Sequence, residues 1–83
     1  MGKLSDLPNI SKVTEGKLIE AGIESIEQLK EIGSRNAFIR IRVNDPTACL
    51  HMLYGLEGAV EGIRDKFLSP ETKEELKTFY RSL

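Results

Sequence analysis

The run DPTACLHMLYGLEGAVEGI, residues 45–63, is where the architecture can be read most directly. Asp45 is a natural N-cap, Pro46 suits a first helical turn, and no further proline interrupts the run, which predicts one long helix. Cys49, Leu53, Leu56, Val60 and Ile63 recur at alternating steps of four and three and form one apolar stripe. Ala48, Met52, Gly55, Ala59 and Gly62 form a second, adjoining one. A helix apolar on two neighbouring stripes is enclosed by other elements. A glycine inside a helix costs about 1 kcal/mol relative to alanine, so its presence here points to close backbone packing. The expectation is a small all-α domain with this helix at its centre.

Working outward, Ser11 predicts the N-cap of a helix ending near Ala21, with Gly22 in the left-handed position after it. Gly16 within that helix suggests a tight neighbour. Ser25 to Gln28 has capping-box spacing ahead of a short helix that carries Ile26, Leu29 and Ile32 inward and stops at Gly33. Ser34 to Val43 reads two ways. Ala37, Phe38 and Ile41 fit a helix face, whereas Ile39, Ile41 and Val43 alternate with Arg40 and Arg42 as a strand would. A lone strand has no partner elsewhere in the chain, which favours helix. Ser69-Pro70 opens a last helix with Glu71, Glu74 and Glu75 early and Arg81 late, as the helix dipole prefers, and with Leu76, Phe79, Tyr80 and Leu83 on its apolar side. The sum is a five-helix single domain, residues 1–83.

With 83 residues the chain has a modest core, and dimerisation would add to it. Twelve basic against thirteen acidic side chains give a net charge of -1, so no global field draws in nucleic acid or an anionic membrane. No run approaches the roughly 18 apolar residues of a membrane span, and the start MGKLSDLPNI holds no signal-peptide core. A cytoplasmic location is expected. The single cysteine, Cys49, lies on the inner stripe and is expected to be a small buried hydrophobe.

No constellation for catalysis is evident. His51 is the sole histidine, and its spacing from Cys49 sets the two on different sides of a helix, which gives neither a metal pair nor a nucleophile-base pair. Glu57 and Glu61 share a face but read as an exposed edge. The expectation is a non-enzyme with no cofactor, no metal and no small-molecule substrate.

The stretch LPNISKVTEGKLIEAGI, residues 7–23, with SIEQL behind it resembles a helix-hairpin-helix motif. In that family a turn of glycine, hydrophobic residue, glycine presents backbone N–H groups that hold a DNA phosphate at a helix start. Asn9 and Ser11 occupy the two glycine positions here, on either side of Ile10. Asn tolerates left-handed angles and Ser11 can cap, so the turn is compatible with these residues. Asn9, Ile10, Ser11, Lys12 and Lys17 are the candidate phosphate contacts, although lysines near a helix start are more often simply solvated. A single hairpin also binds phosphate weakly; a dimer would supply the second.

Four segments, LPNI at 7–10, AGI at 21–23, LYGLEGAV at 53–60 and LSPETKEEL at 68–76, together resemble the C-terminal domain of the TfoX/Sxy family. The Leu-Tyr-x-Leu-Glu-Gly-Ala segment is the most specific part of the likeness. The resemblance implies a regulator of natural competence, whose longer members join an N-terminal domain to this one and act on transcription alongside the cyclic-AMP receptor protein. The sequence does not include that N-terminal domain, so the fold is the first thing expected to carry over. The expected function is a small regulatory module that works through protein contacts, as a homodimer or with a regulatory partner. Arg35, Arg40 and Arg42 are the densest basic cluster, and with Phe79, Tyr80 and Leu83 they are the candidate partner-binding residues. The alternative is weakly specific DNA binding through residues 8–12.

Overall fold

The computed structural model describes residues 2–83. A 3-10 turn at Leu4–Asp6 leads to α1 (Lys12–Glu20), α2 (Ile26–Asn44), α3 (Leu50–Glu61), a second 3-10 turn at Asp65–Phe67, and α4 (Pro70–Arg81). The all-α expectation holds, but with four α-helices where five were expected. The difference lies at Gly33, whose φ of 82° and ψ of 166° leave helical geometry inside α2. Glycine accepts that conformation without a Cβ penalty, and the helix resumes at once. The two short helices expected on either side of Gly33 therefore join as one bent element.

The ambiguous stretch from Ser34 is helical. Ala37, Phe38 and Ile41 are buried, while Ile39 is 40% and Val43 78% exposed. A strand would have turned Ile39, Ile41 and Val43 to one face. In the helix the three separate, and two of them are left on the outside.

The helix expected from Asp45 begins only at Leu50, with Cys49 at its N-cap. Asp45 is used instead to close α2: its N–H donates to the Ile41 carbonyl at 2.9 Å. Its Oδ1 then accepts from the Thr47 N–H at 3.1 Å and from the Thr47 hydroxyl, an Asx turn that carries the chain past Pro46. Two corrections follow. The central helix has 12 residues and is not the longest, since α2 has 19. Cys49 is exposed, because the cap lies outside the periodicity that was extended to it.

Within its shorter span α3 keeps the middle of each expected stripe inside, Leu53 and Leu56 on one and Gly55 and Ala59 on the other. Met52 and Val60 are half-buried, Gly62 is exposed, and Gly58, on neither stripe, is buried as well. The helix packs against α2, α4 and the Asp65–Phe67 turn. It stops at Gly62, whose φ of 79° is the left-handed cap. The serine caps fall as expected: Ser11, Ser25 and Ser69 each accept from the backbone N–H three residues on. The Gln28 side chain reaches back one residue further than a capping box would, to the Glu24 N–H at 2.6 Å.

Gly16 departs from its expectation, since a Cβ built there meets nothing within 4 Å. Its helix carries the cost of a glycine with no packing return. Gly16→Ala should therefore stabilise the domain by roughly 0.5–1 kcal/mol, seen as a rise of several degrees in melting temperature.

Candidate functional site

Residues 7–12 form a turn built around Asn9, the one described non-glycine residue with positive φ, at 69°. The glycine-like conformation expected of this position is present. Its side chain, however, is directed into the domain. Asn9 Nδ2 donates to the carbonyls of Gly55 at 3.3 Å and Ile63 at 3.0 Å, and its Oδ1 accepts from the Asp65 N–H at 3.1 Å. One amide thus ties the N-terminal turn to the middle of α3 and to the turn that follows it. The glycines of α3 make room for this. A Cβ at Gly55 would lie 3.4 Å from Asn9 Cβ, and a Cβ at Gly58 would lie 2.7 Å from the Ile63 carbonyl oxygen.

The other residues proposed for phosphate binding divide. Ile10 is buried, 5% exposed, and belongs to the core. Ser11 Oγ accepts from the Thr14 N–H at 3.2 Å and serves as the cap of α1. Lys17 forms an ion pair with Asp45, tying α1 to the end of α2. Lys12 alone is exposed with no ion-pair partner among the described residues. The group is close in sequence but is mostly occupied with holding the domain together.

The Lys17 pair has a pH signature. The hydrogen bond from Lys17 and, after it, that from Thr47 lower the Asp45 pKa from 3.8 to about 2. A carboxylate with a lowered folded-state pKa stabilises the fold above its unfolded pKa and loses that contribution as pH falls through the folded value. The difference in urea midpoint between the wild type and Lys17→Met should be constant above pH 4. It should narrow as pH falls from 3.8 toward 2.

The second set of candidates comes together on α2 and α4. The Arg35 guanidinium lies over the Phe79 ring at 5.9 Å, and the Arg42 guanidinium lies over Tyr80 at 5.2 Å and Phe38 at 5.9 Å. Phe38 and Tyr80 in turn meet at 5.9 Å between centroids with a 58° tilt, an edge-inclined contact. Phe79 and Tyr80 are half-buried against the core, whereas Leu83 is 52% exposed. Ile39, Arg42, Val43 and Leu83 line a shallow groove of about 230 Å³. Arg40 lies outside this set, exposed on another face of α2. Sequence reasoning named the arginines and the α4 residues but missed Ile39 and Val43, although their mismatch with the helical period was the available signal.

A larger cleft of about 540 Å³ opens between the Asn9 turn, the start of α3 and Asp65. Cys49 and His51 both line it, together with Thr14, Met52 and Arg64, although their spacing placed them on different sides. The helix starts only after Cys49, so helical spacing does not govern the pair. His51 Nε2 lies 3.8 Å from Asp65 Oδ2, at the surface. On the opposite side of α3, the buried Ser34 hydroxyl donates to Glu57 Oε1 at 2.6 Å. The Glu61 pKa is raised, first by a hydrogen bond shared with Glu57 and then by desolvation. Glu57 is therefore a partner for the bend at Gly33 rather than an open edge. Among the described residues no helix is long and apolar enough to cross a membrane.

Residues 1–80 match the family model described as the TfoX C-terminal domain. The chain is similar to Protein Sxy of Escherichia coli (strain K12), 33% identical over 81 residues that cover 98% of this chain and 39% of that protein. It is also similar to the DNA transformation protein TfoX of Haemophilus influenzae, 33% identical over 76 residues that cover 92% of this chain and 35% of that one. The chain thus spans well under half the length of these two relatives. Among solved structures, an uncharacterised protein from Listeria monocytogenes in a triclinic crystal form superposes with a TM-score of 0.97 at 52% identity, covering 98% of this chain and 92% of that one. A Listeria monocytogenes protein of unknown function in a tetragonal form gives a TM-score of 0.93 at 53% identity, covering 95% and 96%.

Proposed function

The chain belongs to the TfoX C-terminal domain family, and from that premise we propose that it is a non-enzymatic regulatory module that acts through protein contacts, in the control of transcription or competence. The relative named as a DNA transformation protein supplies the regulatory setting. The observation that carries the mode of action is the α2–α4 face. There Ile39, Val43 and Leu83 stay exposed around a guanidinium that no acidic side chain neutralises among the described residues. Exposed apolar residues grouped at one groove mark a binding surface more often than scattered ones do.

Direct DNA binding is the second reading. It rests on the start of α1, where the left-handed Asn9 precedes free backbone N–H groups and Lys12. With Lys17 paired and the Asn9 amide turned inward, one lysine is left to hold a phosphate. Such binding would be weak and steeply salt-dependent.

A photo-cross-linking residue placed at Val43 or at Lys12 in living cells separates the two. Protein adducts at position 43 that are absent at position 12 support the interaction module. DNA adducts at position 12, with no protein adducts at position 43, would overturn it.

A further inference from the structure

Resting on the α2–α4 face as the working surface, we propose that its occupant is an acidic amphipathic helix of a partner protein. That helix sets one bulky apolar side chain between Ile39, Val43 and Leu83 and a carboxylate against Arg42. The groove's volume of about 230 Å³ lies below the roughly 300–1,000 Å³ of sites that enclose a free small molecule. It is matched instead to a single anchoring side chain. Three of its four lining residues are aliphatic, which suits an apolar anchor and does not suit a phosphate backbone.

Arg42 supplies the charge half of the argument. Its guanidinium is held over two aromatic rings with Nη1 buried, but the side chain as a whole is only half-buried, and its outer N–H donors have no acidic partner among the described residues. Aromatic stacking satisfies the π face of a guanidinium but not its N–H donors, and a carboxylate is the geometric complement of those donors. Arg35, seven residues earlier and stacked on Phe79, repeats the arrangement two turns away. A helix carrying acidic residues two turns apart, with an apolar residue between them, meets both arginines and the groove; this is helix-in-groove recognition.

A second copy of the chain is the poorer occupant. In a two-fold interface a patch meets itself, which would set Arg35 and Arg42 of one copy against the same arginines of the other. Like charges brought together in that way oppose association.

The test is a displayed library of helical peptides with randomised faces, selected on the full chain and then assayed against variants. Val43→Gln with Leu83→Ser removes two apolar walls without changing charge. Arg42→Gln removes the cation, and Arg42→Lys keeps it should the glutamine variant unfold, with circular dichroism reporting the fold. The expected binders carry Glu or Asp one turn from a Leu or Phe, and lose at least about tenfold in affinity on either the double variant or Arg42→Gln, a loss of about 1.4 kcal/mol. Arg42→Lys should retain more affinity than Arg42→Gln. Binders that need the apolar walls but show no acidic enrichment and ignore Arg42→Gln would overturn the acidic partner while leaving the surface in place. Binders indifferent to the double variant would overturn the surface itself, and with it the mode of action proposed above. Light scattering that finds a dimer dissolved by the double variant would replace the partner helix with a second copy.

Discussion

Gly58→Ala is expected to lower the unfolding free energy by about 3 kcal/mol, a fall in melting temperature on the order of 15 °C for a domain of this size. The added Cβ would lie 2.7 Å from the Ile63 carbonyl oxygen, 3.3 Å from the Asp65 nitrogen and 2.5 Å from Asn9 Nδ2. Asn9 can rotate away only by giving up its hydrogen bonds, and the other two atoms are backbone. The intrinsic helix preference of alanine, about 1 kcal/mol, does not offset this. Gly55→Ala is the internal control. Its Cβ would approach Asn9 Cβ at 3.4 Å, an ordinary contact, so the change should stay within about 1 kcal/mol of the wild type. Thermal melts of the two variants side by side check the argument; equal losses would show that general crowding along α3, not the 58–63 contact, is responsible.

Asn9→Ala is expected to be at least as damaging, at about 4 kcal/mol. It removes both bonds from Nδ2 and the one to Oδ1, leaving the Ile63 carbonyl and the Asp65 N–H without that partner, while the Gly55 carbonyl, inside α3, keeps its place in the helix ladder. Each unsatisfied group in a partly buried position costs about 1 kcal/mol or more. Alanine at a φ of 69° adds roughly another 1 kcal/mol of steric cost. Asn9→Gly should recover that last part and no more. Asn9→Asp keeps the acceptor but turns a carboxylate toward two carbonyls, so its stability should improve as pH is lowered and the group protonates. Hydrogen exchange at the Asp65 amide reads the broken bond directly, and an unchanged exchange rate in Asn9→Ala would remove Asn9 from the role given to it.

These two residues show what the sequence could and could not convey. The all-α class, the serine caps and the paired apolar stripes of α3 follow from local periodicity and capping, which act within a few residues. The glycines of α3 announced close packing, yet the residue packed there is Asn9, 46 positions from Gly55, and nothing local names it. The position of Asn9 in a turn was legible from its tolerance of left-handed angles. Its service as a bracket across the domain was not, because it depends on where α3 and the Asp65–Phe67 turn come to lie. The start of α3 was misplaced for a related reason. Asp45-Pro46 suits the beginning of a helix and also the end of the previous one, and α2 reached Asp45 first.

The α2–α4 face was half legible. The seven-residue spacing of Arg35 and Arg42 places them on one face, and the apolar side of α4 followed from its period. What sequence periodicity left open was the pairing of those arginines with Phe79 and Tyr80, a tertiary contact. Ile39 and Val43 first made the segment ambiguous between helix and strand. In the folded chain the same residues are the exposed apolar walls of the groove. A residue that spoils a helical period is a candidate for a surface that is not meant to stay in water.

Replacement of the matched segment of Haemophilus influenzae TfoX by this chain, followed by measurement of transformation frequency, tests the interaction-module reading in the setting that gives it meaning. The chimaera should transform, Lys12→Ala within it should have little effect, and Val43→Gln with Leu83→Ser should bring the frequency down by tenfold or more, on the order of the loss of one well-packed anchor. A chimaera that loses transformation with Lys12→Ala, and keeps it with both groove residues replaced, would contradict the reading and return the function to the turn at Asn9.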